Sequence, residues 1–325
     1  MSTNSDLYSN FSVQKRTMAN ITEDGNFTSK LNQTFSSQPT GTIESLSAFN
    51  IFLSITASLG NALVLIALHK ISSIYPPTKL FFRCLAVTDL FVGLIVQPLF
   101  VTLLLSHITG VNENVVPYVS FYIVLSWCLC GVSGLTTTAI SVDRLLALLL
   151  GLKYRHVVTL RRVRVIIICF WFIAAFLWSI TMFTEGIALK VATAILTLCV
   201  VISIYCNTRI FFKLRHQQAH LQNHVHQQQA NGGRNSLNIA RYKKLVSSVL
   251  CVQLALVACY TPWGIDALLY INTIHFGNYL FPLVTETLVY LNSSLNPILY
   301  CWKIREVRQA VKDIIRQLNC LKLLK

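Results

Sequence analysis

Residues 46–68 read LSAFNIFLSITASLGNALVLIAL, without one charged side chain. Such a run matches the ~20 apolar residues that a helix needs to cross the hydrocarbon core of a bilayer. Six more runs follow, at roughly 80–105, 117–142, 164–184, 187–211, 245–271 and 279–301. The third and seventh are interrupted by Gly, Ser, Thr and Asn, as helices that face other helices allow. Over the whole chain 54% of residues are hydrophobic and 12% charged. A soluble domain carries about a quarter charged residues, so the solvent here must be partly lipid. The expected fold is an all-α membrane protein, a seven-transmembrane helix bundle spanning about 43–302.

Two independent signals orient the bundle. Residues 1–42 hold four Asn-X-Ser/Thr acceptors, at Asn10, Asn20, Asn26 and Asn32, and glycosylation places such a tail on the extracellular side. Of 27 Lys and Arg, only Lys15, Arg16, Lys30 and Lys190 then lie outside. The excess inside agrees with the positive-inside tendency. The net charge of +15 thus reads as topology suited to anionic lipid, and nucleic acid is not an expected partner. The tail, rich in Ser, Thr and Asn, is expected to be disordered and glycosylated. It lacks the charged start and apolar core of a cleavable signal, so the first span serves as the anchor. All ten cysteines fall in spans or on the cytoplasmic side, and no extracellular disulfide is expected. The C-terminus would be cytoplasmic and the protein a multi-pass plasma-membrane one.

Loops are short except the third cytoplasmic one, about 213–240. His216, His220 and His224 share a helical face there, but no Cys or carboxylate joins them. The favoured reading is a fraying extension of the fifth span, without metal. Residues 303–320 form an amphipathic stripe (Ile304, Val307, Val311, Ile314, Ile315, Leu318) among basic residues, a helix lying on the inner leaflet. Cys320 closes it as a candidate for S-acylation, and 321–325 are a cytoplasmic end.

Ionisable residues inside a membrane cost a few kcal/mol each on insertion scales, about 2.5–3.5 for Asp at a helix centre. The few present therefore stand out: Asp89 in the second span, Asp143-Arg144 at the inner end of the third, and Glu286 in the outer half of the seventh. Asp266 sits one turn above Pro262. With Glu286 it could receive a cationic group, beside Ser126, Tyr260 and Tyr290. No phosphate loop, GxSxG or metal-ligand pair is present, and an enzyme is not expected.

The motifs form an ordered set, one per span. Gly60-Asn61, Leu85-Ala86-Val87-Thr88-Asp89, Asp143-Arg144-Leu145, Trp171, Tyr205, Cys259-Tyr260-Thr261-Pro262 and Asn296-Pro297-Ile298-Leu299-Tyr300 follow in sequence. Together they resemble rhodopsin-like (class A) G-protein-coupled receptors over about 43–320. The resemblance implies a cell-surface receptor that binds an extracellular small-molecule or peptide ligand and activates heterotrimeric G proteins. It implies an activation switch of Asp143, Arg144, Tyr205, Tyr260, Pro262, Asn296, Pro297 and Tyr300. It also implies a sodium pocket of Asp89, Ser133, Asn292, Ser293 and Asn296, with Na+ as an allosteric ion and no other cofactor. Pro262 and Pro297 remove backbone donors and kink their helices, which makes hinges.

Several positions depart from the family pattern. The DRY tyrosine is Leu145, the CWxP tryptophan is Tyr260, and residues 239–244 (IARYKK) offer no acid to hold Arg144. Thr197 stands where the fifth-span proline would be, Val119 where the third-span cysteine would be, and the second outer loop (about 184–190) is short. These traits resemble the melanocortin, lysophospholipid, cannabinoid and adenosine branch. The melanocortin acids do not carry over (Leu99, Val119, Ile123), nor does the aminergic aspartate (Ser126), nor the opsin lysine (Tyr290). Two other readings are a receptor-like protein that has lost signalling, suggested by Leu145 and Tyr260, and a seven-helix transporter, which would call for internal repeats or an ion path.

Overall fold

Residues 40–109, 116–181, 185–227, 255, 257–269, 280–303 and 305–323 are described by a computed structural model. The first span is helix α1 (Thr40–Lys70), whose buried residues step by three and four through Ser47, Asn50, Leu53, Ala57, Asn61 and Val64. Phe49, Phe52, Ile55 and Leu59 point outward. Amides and hydroxyls inside with large apolar groups outside reverse the pattern of a water-soluble helix. Lipid as the outer solvent explains the reversal.

The second span is α2 (Pro76–Phe91), a π turn (Val92–Val96) and α3 (Gln97–Thr109). Pro76 and Pro77 open α2, where a missing N–H costs nothing. The π turn has a sequence cause. Pro98 cannot donate to residue 94, and its ring crowds that carbonyl. The chain takes one extra residue into the turn, with Gln97 N–H donating to the Val92 carbonyl.

The third span is α4 (Val116–Leu150), which packs on the second, fourth and fifth spans. Gly151, at φ +52°, ends it in the left-handed region that favours glycine. A short α5 (Tyr154–Val157) leads to the fourth span, α6 (Leu160–Thr181), and then to the fifth, α7 (Glu185–Gln227). Residues 257–269 form α8 in the sixth span. The seventh is α9 (Leu280–Lys303), packed on α1, and α10 (Arg305–Leu323) follows. Each of the seven predicted spans thus holds a helix. Four rods among the described residues are long and apolar enough to cross a bilayer by length and composition: Thr40–Lys70, Pro76–Ser106, Phe121–Val157 and Lys190–His216.

Two residues of the expected stripe turn helix α10 toward the bundle. Val307 and Ile314 bury against Val64, Leu68 and Phe82, while Ile315 stays exposed. Lys70 Nζ donates to Gln317 Oε1 at 3.0 Å, which ties α10 to the end of α1.

Boundaries differ from the sequence reading in several places, five of them at the ends of the expected tail, loops and final helix. Thr40 to Thr42, placed in the tail, begin α1. The second outer loop is shorter than expected, because Glu185 to Lys190 are already in α7. The third cytoplasmic loop begins later, since α7 continues to Gln227; residues 228–240 lie outside the described set. Lys303 belongs to α9. Cys320 lies within α10, which runs on to Leu323 and takes in part of the expected 321–325 end. The glycosylation acceptors Asn10, Asn20, Asn26 and Asn32 lie outside the described residues.

Candidate functional site

Three polar layers stack along the facing sides of the second, third and seventh spans. The outer layer forms where Tyr122 and Ser126 on α4 face Glu286 and Tyr290 on α9, each pair one helical turn apart. Tyr290 is wholly buried, and its hydroxyl shares hydrogen bonds with Tyr122 at 2.6 Å and Ser126 at 3.0 Å. Tyr122 and Tyr290 both donate to Glu286 Oε1, the latter at 3.0 Å. Among the described residues, Oε2 takes no hydrogen bond. Phe100 on α3 closes the group, its ring stacked on Tyr122 at 5.9 Å and edge-on to Tyr290 at 5.5 Å. Asp266, half-buried on α8, is close enough to Glu286 for the two carboxyls to act on each other through space.

The middle layer centres on Asp89, which is 0% exposed. Oδ1 accepts from Ser133 Oγ at 3.0 Å and Ser293 Oγ at 2.8 Å, and Oδ2 accepts from Asn296 Nδ2 at 2.7 Å. Four of the five predicted sodium-pocket residues therefore meet. Asn292 does not join them: its amide donates to Tyr260 Oη at 3.3 Å. The reason is local. Tyrosine in place of tryptophan puts a hydroxyl in reach. The carboxylate and two hydroxyls are hard oxygen donors that suit a hard cation, although Asn296 presents its nitrogen.

The first-span pair Gly60-Asn61 supports this layer. Pro297 cannot donate to the Ser293 carbonyl one turn back, and Asn61 Nδ2 donates to that carbonyl at 3.0 Å instead. Gly60 permits the approach: a Cβ there would meet the Pro297 ring at 2.9 Å.

The inner layer separates Asp143 from its neighbour Arg144. Asp143, buried, accepts from Thr78 Oγ at 2.9 Å and from Tyr154 Oη at 2.5 Å. Arg144 lies exposed with its guanidinium carbon 5.3 Å from the centre of the Phe82 ring. Tyr300 meets that ring edge-on at 5.0 Å. Leu145 packs with Cys206 and Ile210 of α7.

One expected member of the switch is not brought in. Tyr205 is 59% exposed on the outside of α7, and Pro262 lies partly buried on α8, two residues beyond Tyr260. Trp171, also outward-facing, is 40% exposed. The residues that the sequence reading missed are Tyr122, Phe100, Thr78, Tyr154 and Phe82. For Tyr122 a signal existed: Tyr122/Ser126 and Glu286/Tyr290 are two polar pairs at a spacing of four. Phe82 and Phe100 gave none, being aromatic residues within apolar runs.

Residues 60–189 match the family described as 7 transmembrane receptor (rhodopsin family). Trace amine-associated receptor 9 of Homo sapiens is 24% identical over 295 residues, 81% of this chain and 82% of that receptor. Melanocortin receptor 5 of Rattus norvegicus is 24% identical over 289 residues, 82% of this chain and 84% of its own. Across these matches the chain is similar to the rhodopsin-like G-protein-coupled receptors. A third relative, the muscarinic acetylcholine receptor gar-2 of Caenorhabditis elegans, is 30% identical over 141 residues; the match takes in 43% of this receptor but 22% of the relative. The receptor is thus a multi-pass protein of the cell surface, and its family is one of receptors rather than enzymes.

Proposed function

We propose that this receptor binds an extracellular ligand carrying a cationic amine and, when bound, activates a heterotrimeric G protein. The observation that carries the reading is Glu286 in the outer layer. Its Oε1 is held by two tyrosines, while Oε2 takes no hydrogen bond among the described residues, so one oxygen is positioned and one is open. An unpaired acid at that depth is costly, and a second carboxyl, Asp266, stands near. Phe100, Tyr122 and Tyr290 add aromatic faces, which attract ammonium groups through the ring quadrupole. Two relatives carry amines in their names, acetylcholine and trace amines. Their usual third-span aspartate is Ser126 here, so the acid would be supplied from the opposite side of the pocket.

The rest of the assignment follows the layers. The ligand would act by binding the active conformation more tightly than the resting one. Asp89, Ser133 and Ser293 would hold a sodium ion, whose charge neutralises the carboxylate. The glycosylated tail would lie outside, and α10, with its basic residues and Cys320, would lie on the inner leaflet.

The test is nucleotide exchange on a panel of purified G proteins, driven by a series of aryl-alkyl amines and quaternary ammonium compounds. Glu286→Gln is expected to weaken the potency of any active amine at least tenfold, about 1.4 kcal/mol. Unchanged potency at normal surface expression would refute the cationic assignment.

A further inference from the structure

Polar groups without partners collect at one place outside the three layers. Among the described residues, Ser47 Oγ, Asn50 Oδ1 and both amide atoms of Gln97 lie buried without a hydrogen-bond partner. Ser47 is 2% exposed, and Asn50 and Gln97 are 0%.

Other contacts fix where these groups stand. Ser54 Oγ donates to the Gly93 carbonyl at 2.7 Å, which sets the first span in register with the π turn of the second. A Cβ on Gly93 would meet Ser58 Oγ at 2.8 Å and Ala57 Cβ at 2.9 Å, so that face of the second span points at the first. Gln97 comes one turn further out and returns to the same face. Asn50, four residues before Ser54, rises by one turn to the same level, and Ser47 lies just beyond it. Asn50 Nδ2 donates to Thr287 Oγ1 at 3.0 Å, which brings in the seventh span.

A fully buried amide with neither atom satisfied is rare and costs more than one lost hydrogen bond. Here the open groups comprise an amide donor on Gln97, amide oxygens on Gln97 and Asn50, and a hydroxyl on Ser47. What completes such a set is a small molecule that donates and accepts at once. We propose that Ser47, Asn50, Gln97 and Thr287 form a buried water-binding site between the first, second and seventh spans, two turns outward of Asp89 and distinct from its cluster. Buried water typically makes about three hydrogen bonds to groups of this kind. Gln97 Nε2 donates to it, Asn50 Oδ1 and Gln97 Oε1 accept from it, and Ser47 Oγ does either.

The experiment is X-ray hydroxyl-radical labelling of the full-length receptor in lipid nanodiscs, read by mass spectrometry. Leu53, one turn inward of Asn50 on the same face, is compared with Leu68 in the apolar inner cluster; they are 2% and 1% exposed. Leu53 is expected to be labelled several-fold faster than Leu68, and Gln97→Met to bring it down to the Leu68 rate. Equal slow labelling in the unmodified receptor overturns the proposal, as does fast labelling that Gln97→Met leaves unchanged. Melting of the same variant gives a second reading. A dry site would gain from losing two orphaned polar atoms, so a higher Tm overturns the proposal, and a lower or equal one supports it. Should Gln97→Met fail to fold, the Leu53 to Leu68 ratio in the unmodified receptor decides alone.

Discussion

Replacing Phe82 with leucine is expected to raise ligand-free signalling. The Phe82 ring, 3% exposed, carries Arg144 above it at 5.3 Å and Tyr300 on its edge at 5.0 Å. Arg144 itself is exposed, so its cation–π contact belongs at the low end, about 0.5–1 kcal/mol. The Tyr300 pair contributes about 0.5–1.5 kcal/mol beyond its burial. Leucine keeps the apolar packing against Val64, Leu68, Ala86 and Val307 but loses both ring contacts, a total of about 1–2.5 kcal/mol. The sign follows from position. The ring holds Arg144 against the second span, and residues 239–244 (IARYKK) offer no carboxylate that would hold it otherwise. Taking the low end, release shifts a two-state balance roughly fivefold. The assay is nucleotide exchange on purified G protein without ligand, at matched receptor density, for Phe82→Leu, Phe82→Tyr and the unmodified receptor. Phe82→Tyr retains the ring and should match the unmodified receptor. Basal exchange by Phe82→Leu at or below the unmodified level, with Tm unchanged, would refute the reasoning.

Two other expectations follow from the sequence and the packing. Gly60→Val should lower Tm, because its side chain would meet the Pro297 ring, already within 2.9 Å of the Cβ position; overpacking of this kind costs about 1–3 kcal/mol, and an unchanged melting curve would show that the α1–α9 crossing yields easily. Residues 302–325 contain no Ser, Thr or Tyr, so phosphorylation within this stretch cannot supply the anionic clusters that basic surfaces recognise. Arrestin recruitment in an agonist time course should be weak or slow, and truncation after Cys320 should leave it unchanged. Rapid, strong recruitment unaffected by Ser236→Ala would show that the missing hydroxyls impose no limit.

What the sequence disclosed was what a local rule could carry. Hydropathy placed the spans, and the amphipathic stripe placed α10, because both follow from periodicity along one helix. The Asp89 cluster was legible through resemblance, and the structure joins four of its five members by hydrogen bonds. Asn292 was misplaced because its partner depends on the hydroxyl of Tyr260, a change on another span. Thr78 and Tyr154 were missed for a similar reason. They lie 65 and 11 residues from Asp143, and only the fold brings both hydroxyls to one carboxylate. The π turn was readable in principle from Pro98, but a kink predicted from proline does not say that the helix will take in an extra residue.

The departures from the family pattern turn out to be connected at the inner end of the bundle. Leu145, in place of tyrosine, gives an apolar side chain that fills the contact with Cys206 and Ile210. Tyr205 faces outward on the same helix. Arg144 is thus joined to the bundle by Phe82, and through Phe82 to Tyr300 just beyond the Pro297 kink. Asp143 is held independently, by Thr78 at the start of the second span and Tyr154 in the loop. A movement of the seventh span at Pro297 would therefore act on Arg144 through an aromatic contact without first breaking the bonds to Asp143. That is a different order of events from one in which the adjacent acid and arginine separate together. It also assigns the two residues separable tests: Tyr154→Phe should disturb the loop while leaving the Arg144–Phe82 contact in place, whereas Phe82→Leu should do the reverse.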